Sequence, residues 1–142
     1  MSQLLKILIV DDEPGIRKLI TAILSDYDTV SAGSTQEALT VVADASPDVM
    51  ISDVRMPGPD GLVLLEKMTQ NYPKIPVILM TGHGDKEMVI KALKANAFDY
   101  IEKPFEDEEL LNTIKRAAGQ VQLEKDLASA QLTLIQSAEW LL

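Results

Sequence analysis

The sequence predicts an α/β protein: a doubly wound, five-stranded parallel sheet with a helical extension at its C-terminal end. Three observations carry the prediction. Short runs rich in Ile, Val and Leu recur five times along the 142 residues. Each is followed by a longer segment, most of them amphipathic, and alternation of this kind places helices on both faces of a parallel sheet. Several of the runs also stop at an acid or a threonine. In open parallel sheets the ligand site lies at the carboxyl ends of the strands, so the chemistry of those ends matters.

The elements follow in order. Leu5 to Val10 is too short for a helix and rich in Ile, and reads as the first strand. Pro14 opens a helix, "PGIRKLITAILSD", with Ile16, Leu19, Ile20, Ile23 and Leu24 on one face. Thr29 to Ser31 is a short second strand. "STQEALTVVADA" opens with a capping box, Ser34 as N-cap and Glu37 as its partner three residues on. Asp48 to Ser52 is the third strand, and "MPGPDG" is a turn cluster before the helix "LVLLEKMTQNY". Pro73 and Pro76 bracket the link to the fourth strand, "VILMT". "GDKEMVIKALKANA" is the fourth helix, with Met88, Ile90, Leu93 and Lys94 distributing its apolar and charged faces, and Phe98 to Ile101 is the last strand. "EDEELLNTIKRAA" is the fifth helix, with acids in its first turn and Lys115 and Arg116 near its expected end, as the helix dipole favours. The methionines, Met50, Met80 and Met88 among them, fall on apolar positions and read as packing.

Composition excludes several functions. The formal net charge is −9, unsuited to a polyanion such as nucleic acid or to an anionic membrane surface. No stretch approaches the roughly 20 apolar residues of a membrane span. The N-terminus "MSQLLKILIVDDE" has no signal-peptide pattern, because Lys6 interrupts its apolar run and acids follow at once. With no cysteine there is neither a disulfide framework nor a Cys-based zinc site, which fits a cytoplasmic location.

The strand ends form a constellation. The first ends at Asp11 and Asp12, the third at Asp53, the fourth at Thr81, and the fifth leads to Lys103 and Pro104. Three carboxylates gathered at one rim repel one another unless cations or protons offset them. Lys103 supplies one positive charge, and a hard divalent ion with oxygen ligands would meet the remainder. Mg2+ suits this role because it takes one or two carboxylates, keeps several waters and engages phosphate oxygens. Such a rim is built for phosphoryl transfer, with one carboxylate as nucleophile and the metal, a lysine and a hydroxyl at the other oxygens.

The motifs "ILIVDDE", "PDVMISDVRMPGPDG", "VILMTGHG" and "FDYIEKPF", in this order and spacing, resemble the receiver domain of bacterial two-component response regulators over roughly residues 4–118. The resemblance implies a flavodoxin-like strand order, 2-1-3-4-5. It implies that Asp53 accepts a phosphoryl group from a sensor histidine kinase or phosphotransfer protein. Asp12 would bind Mg2+ directly, Asp11 mostly through water, and Asp53 and the backbone carbonyl of Arg55 would complete the protein ligands. Thr81 would be the switch hydroxyl and Tyr100 the aromatic that changes burial with it. Lys103 would pair with a phosphoryl oxygen, aimed inward by a cis bond before Pro104. The face made by the fourth helix, fifth strand and fifth helix would read out the state. The protein would be a signalling switch, catalysing only its own phosphotransfer and a slow autodephosphorylation.

Two positions depart from the family pattern. Asn96 replaces a more usual Gly after the fourth helix, and Asn is the next-best residue for a left-handed C-cap. Pro59 stands where other residues are more frequent in the family and is expected to stiffen the loop beside Asp53. Gly82 is small, as the family requires beside the phosphoryl group. His83, the single histidine, lacks a partner set and reads as a loop residue at the rim rather than a base or metal ligand.

Residues 1–120 are expected to form the domain and 121–142 a helical tail. In the tail Leu123, Leu127, Ala130, Leu134 and Leu141 trace a helical stripe that suggests a continuation of the fifth helix through Gly119, with Trp140 beside its end. The stripe predicts dimerisation through this helix, or a linker to an output module; the readout face is the other candidate dimer surface. Three other readings compete with a phosphorylated receiver. A flavin carrier on this fold needs phosphate-binding N–H groups after the first strand, where Asp11, Asp12 and Glu13 would repel it. A haloacid-dehalogenase-like hydrolase needs an Asp-x-Asp arrangement there, not an adjacent pair. A constitutive interaction module has no need of Asp53, Thr81 and Lys103 together.

Overall fold

In the computed structural model, which describes residues 4–58, 60–82 and 84–139, five strands alternate with five helices. They are β1 (Lys6–Val10), α1 (Pro14–Ile23), β2 (Asp28–Ala32), α2 (Thr35–Ala45), β3 (Val49–Asp53), α3 (Gly61–Asn71), β4 (Val77–Thr81), α4 (Lys86–Lys94), β5 (Asp99–Glu102) and α5 (Asp107–Glu139). The strands pair in parallel in the order β2-β1-β3-β4-β5, as expected. Pro59, His83, Trp140 and Leu141 lie outside the described residues.

The three central strands are buried on both faces, so they read as nearly continuous apolar runs rather than alternating ones. Period-two geometry then divides their side chains between two cores. Leu8, Val10, Met50, Val77 and Leu79 pack with Ala38, Val42, Leu64, Leu65, Met68 and Ala92 of α2, α3 and α4. Ile7, Ile9, Val49, Ile51, Ile78 and Met80 pack with Ile20, Leu110, Ile114 and Ala117 of α1 and α5.

Local signals set the helix ends. Ser34 Oγ accepts the Glu37 N–H at 3.1 Å, while the Glu37 carboxylate reaches back to the Gly33 N–H rather than to that of the cap itself. Asp60 Oδ1 accepts from Leu62 and Val63 and starts α3. Asn96 adopts φ 68° and closes α4, with its N–H donating to the Leu93 carbonyl and that of Ala97 to the Ala92 carbonyl. That pair of bonds is a Schellman closure, which Asn tolerates.

Three expectations need correction. Leu19 is half-exposed and leaves the buried face of α1 to Ile20 and its neighbours. Ile90 and Leu93 are likewise exposed on α4, which buries only Ala92. Lys115 and Arg116 do not end a helix: α5 runs on through Gly119, as the stripe of the tail suggests, for 33 residues in all, and no basic residue stands in its last turn. A single exposed glycine costs a helix only about 1 kcal/mol, too little to stop this one. Arg116 instead pairs with Asp99 of β5 and lies over the Phe98 ring. The last buried residue of α5 is Val121; from Gln122 to Glu139 every residue is exposed. Lys125 nevertheless meets Asp48 at 2.8 Å, fastening the start of this segment beside the amino end of β3.

Candidate functional site

The site forms at the carboxyl ends of β1, β3, β4 and β5. β3 ends on Asp53, whose partner across the ladder is Met80, so its carboxylate stands at the sheet rim on a side chain only 13 % exposed. Gly61 makes this possible. A Cβ there would sit 2.3 Å from the Asp53 carbonyl oxygen and 2.8 Å from Val54 Cα, so only glycine lets α3 start against the end of β3. The Gly61 N–H also donates to the Val54 carbonyl, closing the loop.

Asp11 follows β1, and its N–H donates to the Ala32 carbonyl at the end of β2. Its carboxylate is fully buried. Oδ1 accepts the Glu13 N–H at 2.9 Å and Oδ2 lies 3.3 Å from Lys103 Nζ. Asp12 is exposed beside it. One carboxylate oxygen each from Asp11, Asp12 and Asp53 lies within 4.8 Å of the others.

Lys103 lies beyond β5, held by its N–H, which donates to the Thr81 carbonyl at 2.7 Å. Its ammonium reaches Asp53 Oδ2 at 3.2 Å as well as Asp11. The Lys103–Pro104 peptide bond is cis. Thr81 ends β4 and is fully buried, and its Oγ1 is the only buried side-chain polar atom among the described residues without a hydrogen-bond partner.

Burial pushes the Asp53 carboxyl above its usual range; Asp11 adds to the rise, and Lys103 only partly opposes it. Burial also works against the Lys103 ammonium, but Asp53 and Asp11 outweigh it and hold the lysine above its usual value. The ammonium therefore stays charged. With all three acids ionised, one lysine leaves the cluster at minus two.

Residues with this donor set fit Mg2+: hard carboxylate oxygens close enough to share one ion, one exposed and open to keep waters, and an excess negative charge to be met. The Arg55 backbone adjoins them, its N–H donating to Asp53 Oδ1 at 3.4 Å. Thus Asp11, Asp12, Asp53, Thr81, Lys103 and Arg55, dispersed in the sequence, share one rim. Tyr100 does not belong to that cluster. It is half-buried on β5 opposite Leu79 and lines a shallow depression with Glu108, Asn112 and Arg116 of α5.

Sequence reasoning considered Arg55 for its carbonyl alone. Its guanidinium crosses to the loop after β4 and meets Asp85 Oδ2 at 2.8 Å. The adjacency of β3 and β4 brings these loops together, but nothing local to either residue signals the pair.

A family model described as the response regulator receiver domain matches residues 7–115. The chain is 36 % identical, over 99 % of its length, to the regulatory protein AtoC of Escherichia coli (strain K12), of which it spans 31 %. It is 40 % identical, over 96 % of its length, to a putative response regulator NtrX-like protein of Rickettsia bellii, spanning 29 % of it. The chain thus covers less than a third of these curated relatives. Among solved structures, a receiver domain protein from Clostridium thermocellum superposes with a TM-score of 0.80 at 35 % identity, covering 84 % of this chain and 98 % of that one. NtrX from Brucella abortus in complex with ADP gives a TM-score of 0.82 at 35 % identity, covering 89 % of this chain and 30 % of that one.

Proposed function

Because the chain belongs to the response regulator receiver family, we propose that it takes a phosphoryl group on Asp53 from a partner histidine kinase or phosphotransfer protein and changes conformation in response. The observation that carries this is the position of Asp53: a rim carboxylate 3.2 Å from a charged lysine, with two further acids within reach of a shared cation. An Asp53 carboxylate oxygen forms the new bond to phosphorus while the bond from phosphorus to the donor's imidazole nitrogen breaks. Lys103 holds an equatorial oxygen as charge builds there. Asp11, Asp12, Asp53 and the Arg55 carbonyl would hold Mg2+, which when bound offsets the carboxylate charge and engages a phosphoryl oxygen.

The unpartnered Thr81 hydroxyl supports its role as the switch. A phosphoryl oxygen on Asp53 gives it the acceptor it otherwise lacks, and a change at Thr81 reaches Tyr100 on the neighbouring strand. A ligand shifts such an equilibrium only through contacts that differ between the two states. The outcome is a switch that turns over only its own acyl phosphate, slowly, acting in the cytoplasm. Among the described residues no helix is long and apolar enough to cross a membrane.

Output is proposed to lie beyond residue 120, in a larger regulator whose further domain carries any nucleic-acid contact. The exposed Leu123, Leu127 and Leu134 of α5 support homodimerisation through the tail, with the α4–β5–α5 face as the alternative surface. Incubation with Mg2+ and acetyl phosphate should add one phosphoryl mass to the wild type and none to Asp53→Asn. Equal labelling of both would reject Asp53 as acceptor.

A further inference from the structure

Asp85 occupies the N-cap position of α4, yet its carboxylate makes no capping hydrogen bond. Ser34 and Asp60, at the same position of α2 and α3, both cap their helices. The difference lies in Arg55, which holds Asp85 Oδ2 at 2.8 Å from the neighbouring loop. The pair spans the mouth of the site: the Arg55 backbone N–H already touches Asp53 Oδ1. It is also a weak restraint, because the Arg55 side chain is 72 % exposed and screened by water. α4 is short and anchored chiefly by Ala92, so it has little packing to spare an uncapped first turn.

Resting on the reading of Asp53 as phosphoacceptor, we infer that Arg55 is a positioning residue that exchanges partners. It leaves Asp85 for the phosphoryl oxygens, and the released Asp85 carboxylate turns to cap α4. Phosphorylation adds nearly two negative charges and three acceptor oxygens within the arginine's reach. A guanidinium prefers such a dianion to the single carboxylate oxygen it holds on Asp85, since it can bond two phosphoryl oxygens at once. The N–H groups of Glu87 and Met88, at the second and third positions of α4, are those a freed Asp85 would take. The state of Asp53 thus reaches α4 by a route separate from Thr81 and Tyr100.

The test is titration of the intact chain with beryllofluoride and Mg2+, read by calorimetry, with Asp53→Asn as the blank. Asp85→Asn keeps a capping side chain and releases Arg55, so it should tighten binding about two- to five-fold, the range an exposed ion pair is worth. Arg55→Ala loses the new contact and should weaken binding about five- to ten-fold, with Arg55→Lys intermediate. In the wild type, hydrogen exchange at Glu87 and Met88 should slow on binding. Opposite signs for the two variants are the signature. If both tighten, the pair is only a tether and the exchange is wrong; if neither changes, the pair is inert and the inference falls. A wild type that ignores beryllofluoride removes the phosphoacceptor reading itself, and this inference with it.

Discussion

Thr81→Val should make the unmodified protein more stable. The side chain is fully buried at the end of β4, and its hydroxyl has no partner. An unsatisfied buried hydroxyl costs about 1–3 kcal/mol. Valine keeps the volume and the β-branched shape of threonine while removing that penalty, so the strand and its packing are retained. A gain of about 1–2 kcal/mol follows, which for a chain of this size raises Tm by roughly 3–8 °C. Urea unfolding in metal-free buffer measures it, with an unchanged slope showing that the folded state is equally compact. Thr81→Ser is the control: it keeps the hydroxyl and loses a buried methyl, and should fall by about 1 kcal/mol. With Mg2+ and beryllofluoride the order changes, since the added stability should be smaller in the valine variant than in the wild type. A valine variant no more stable than wild type would refute the reasoning, because the hydroxyl would then be satisfied in the unmodified state.

Further outcomes follow from the same geometry. Gly61→Ala places a methyl 2.3 Å from the Asp53 carbonyl oxygen, so β3 and α3 must separate by about 1 Å; a loss of about 1–3 kcal/mol and slower acetyl phosphate labelling are expected in melts and mass spectra. The Asp53 pKa is raised in the fold, so the folded state holds the proton more tightly than the unfolded chain. In metal-free buffer this residue's contribution to stability therefore falls as pH rises from the ordinary 3.8 through the raised value, and Asp53→Asn gains on the wild type above that window; parallel pH-dependent urea titrations should show the gap opening. Leu127→Lys with Leu134→Lys alters only exposed positions and, if the tail dimerises as proposed, should convert the dimer to monomer in light scattering while each domain stays folded. An unchanged mass would remove the tail from the interface.

The rim was readable because parallel strands announce themselves. Buried on both faces, β1, β3 and β4 are nearly continuous apolar runs, and the polar residue at the carboxyl end of each stands at the same edge of the sheet. Asp11, Asp53 and Thr81 were found that way, and Lys103 through the motif around β5. Asn96 was legible from its helix-closing chemistry. The pairs made by side chains on separate loops were not. Arg55 and Asp85 stand 30 positions apart, and either would be unremarked as a surface charge. Leu19, Ile90 and Leu93 misled because periodicity marks an apolar stripe without showing how wide a face the neighbours cover. Continuation of the fifth helix through Gly119 was legible in the apolar stripe of the tail, since helix propensity penalises a glycine without forbidding it.

α5 is anchored in the core by Leu110, Ile114 and Ala117, then projects 18 residues past Val121 without an interruption. At 1.5 Å per residue that is about 27 Å of stiff rod. It departs from the floor of the sheet, near Asp48, while Asp53 crowns the opposite edge. A rod gripped at one end acts as a lever. Tilting its root by about 5° would swing the far tip by more than 2 Å, as far as a shift of packed helices commonly goes. Sub-ångström adjustments around one oxygen would thereby arrive, magnified, at the far tip of α5.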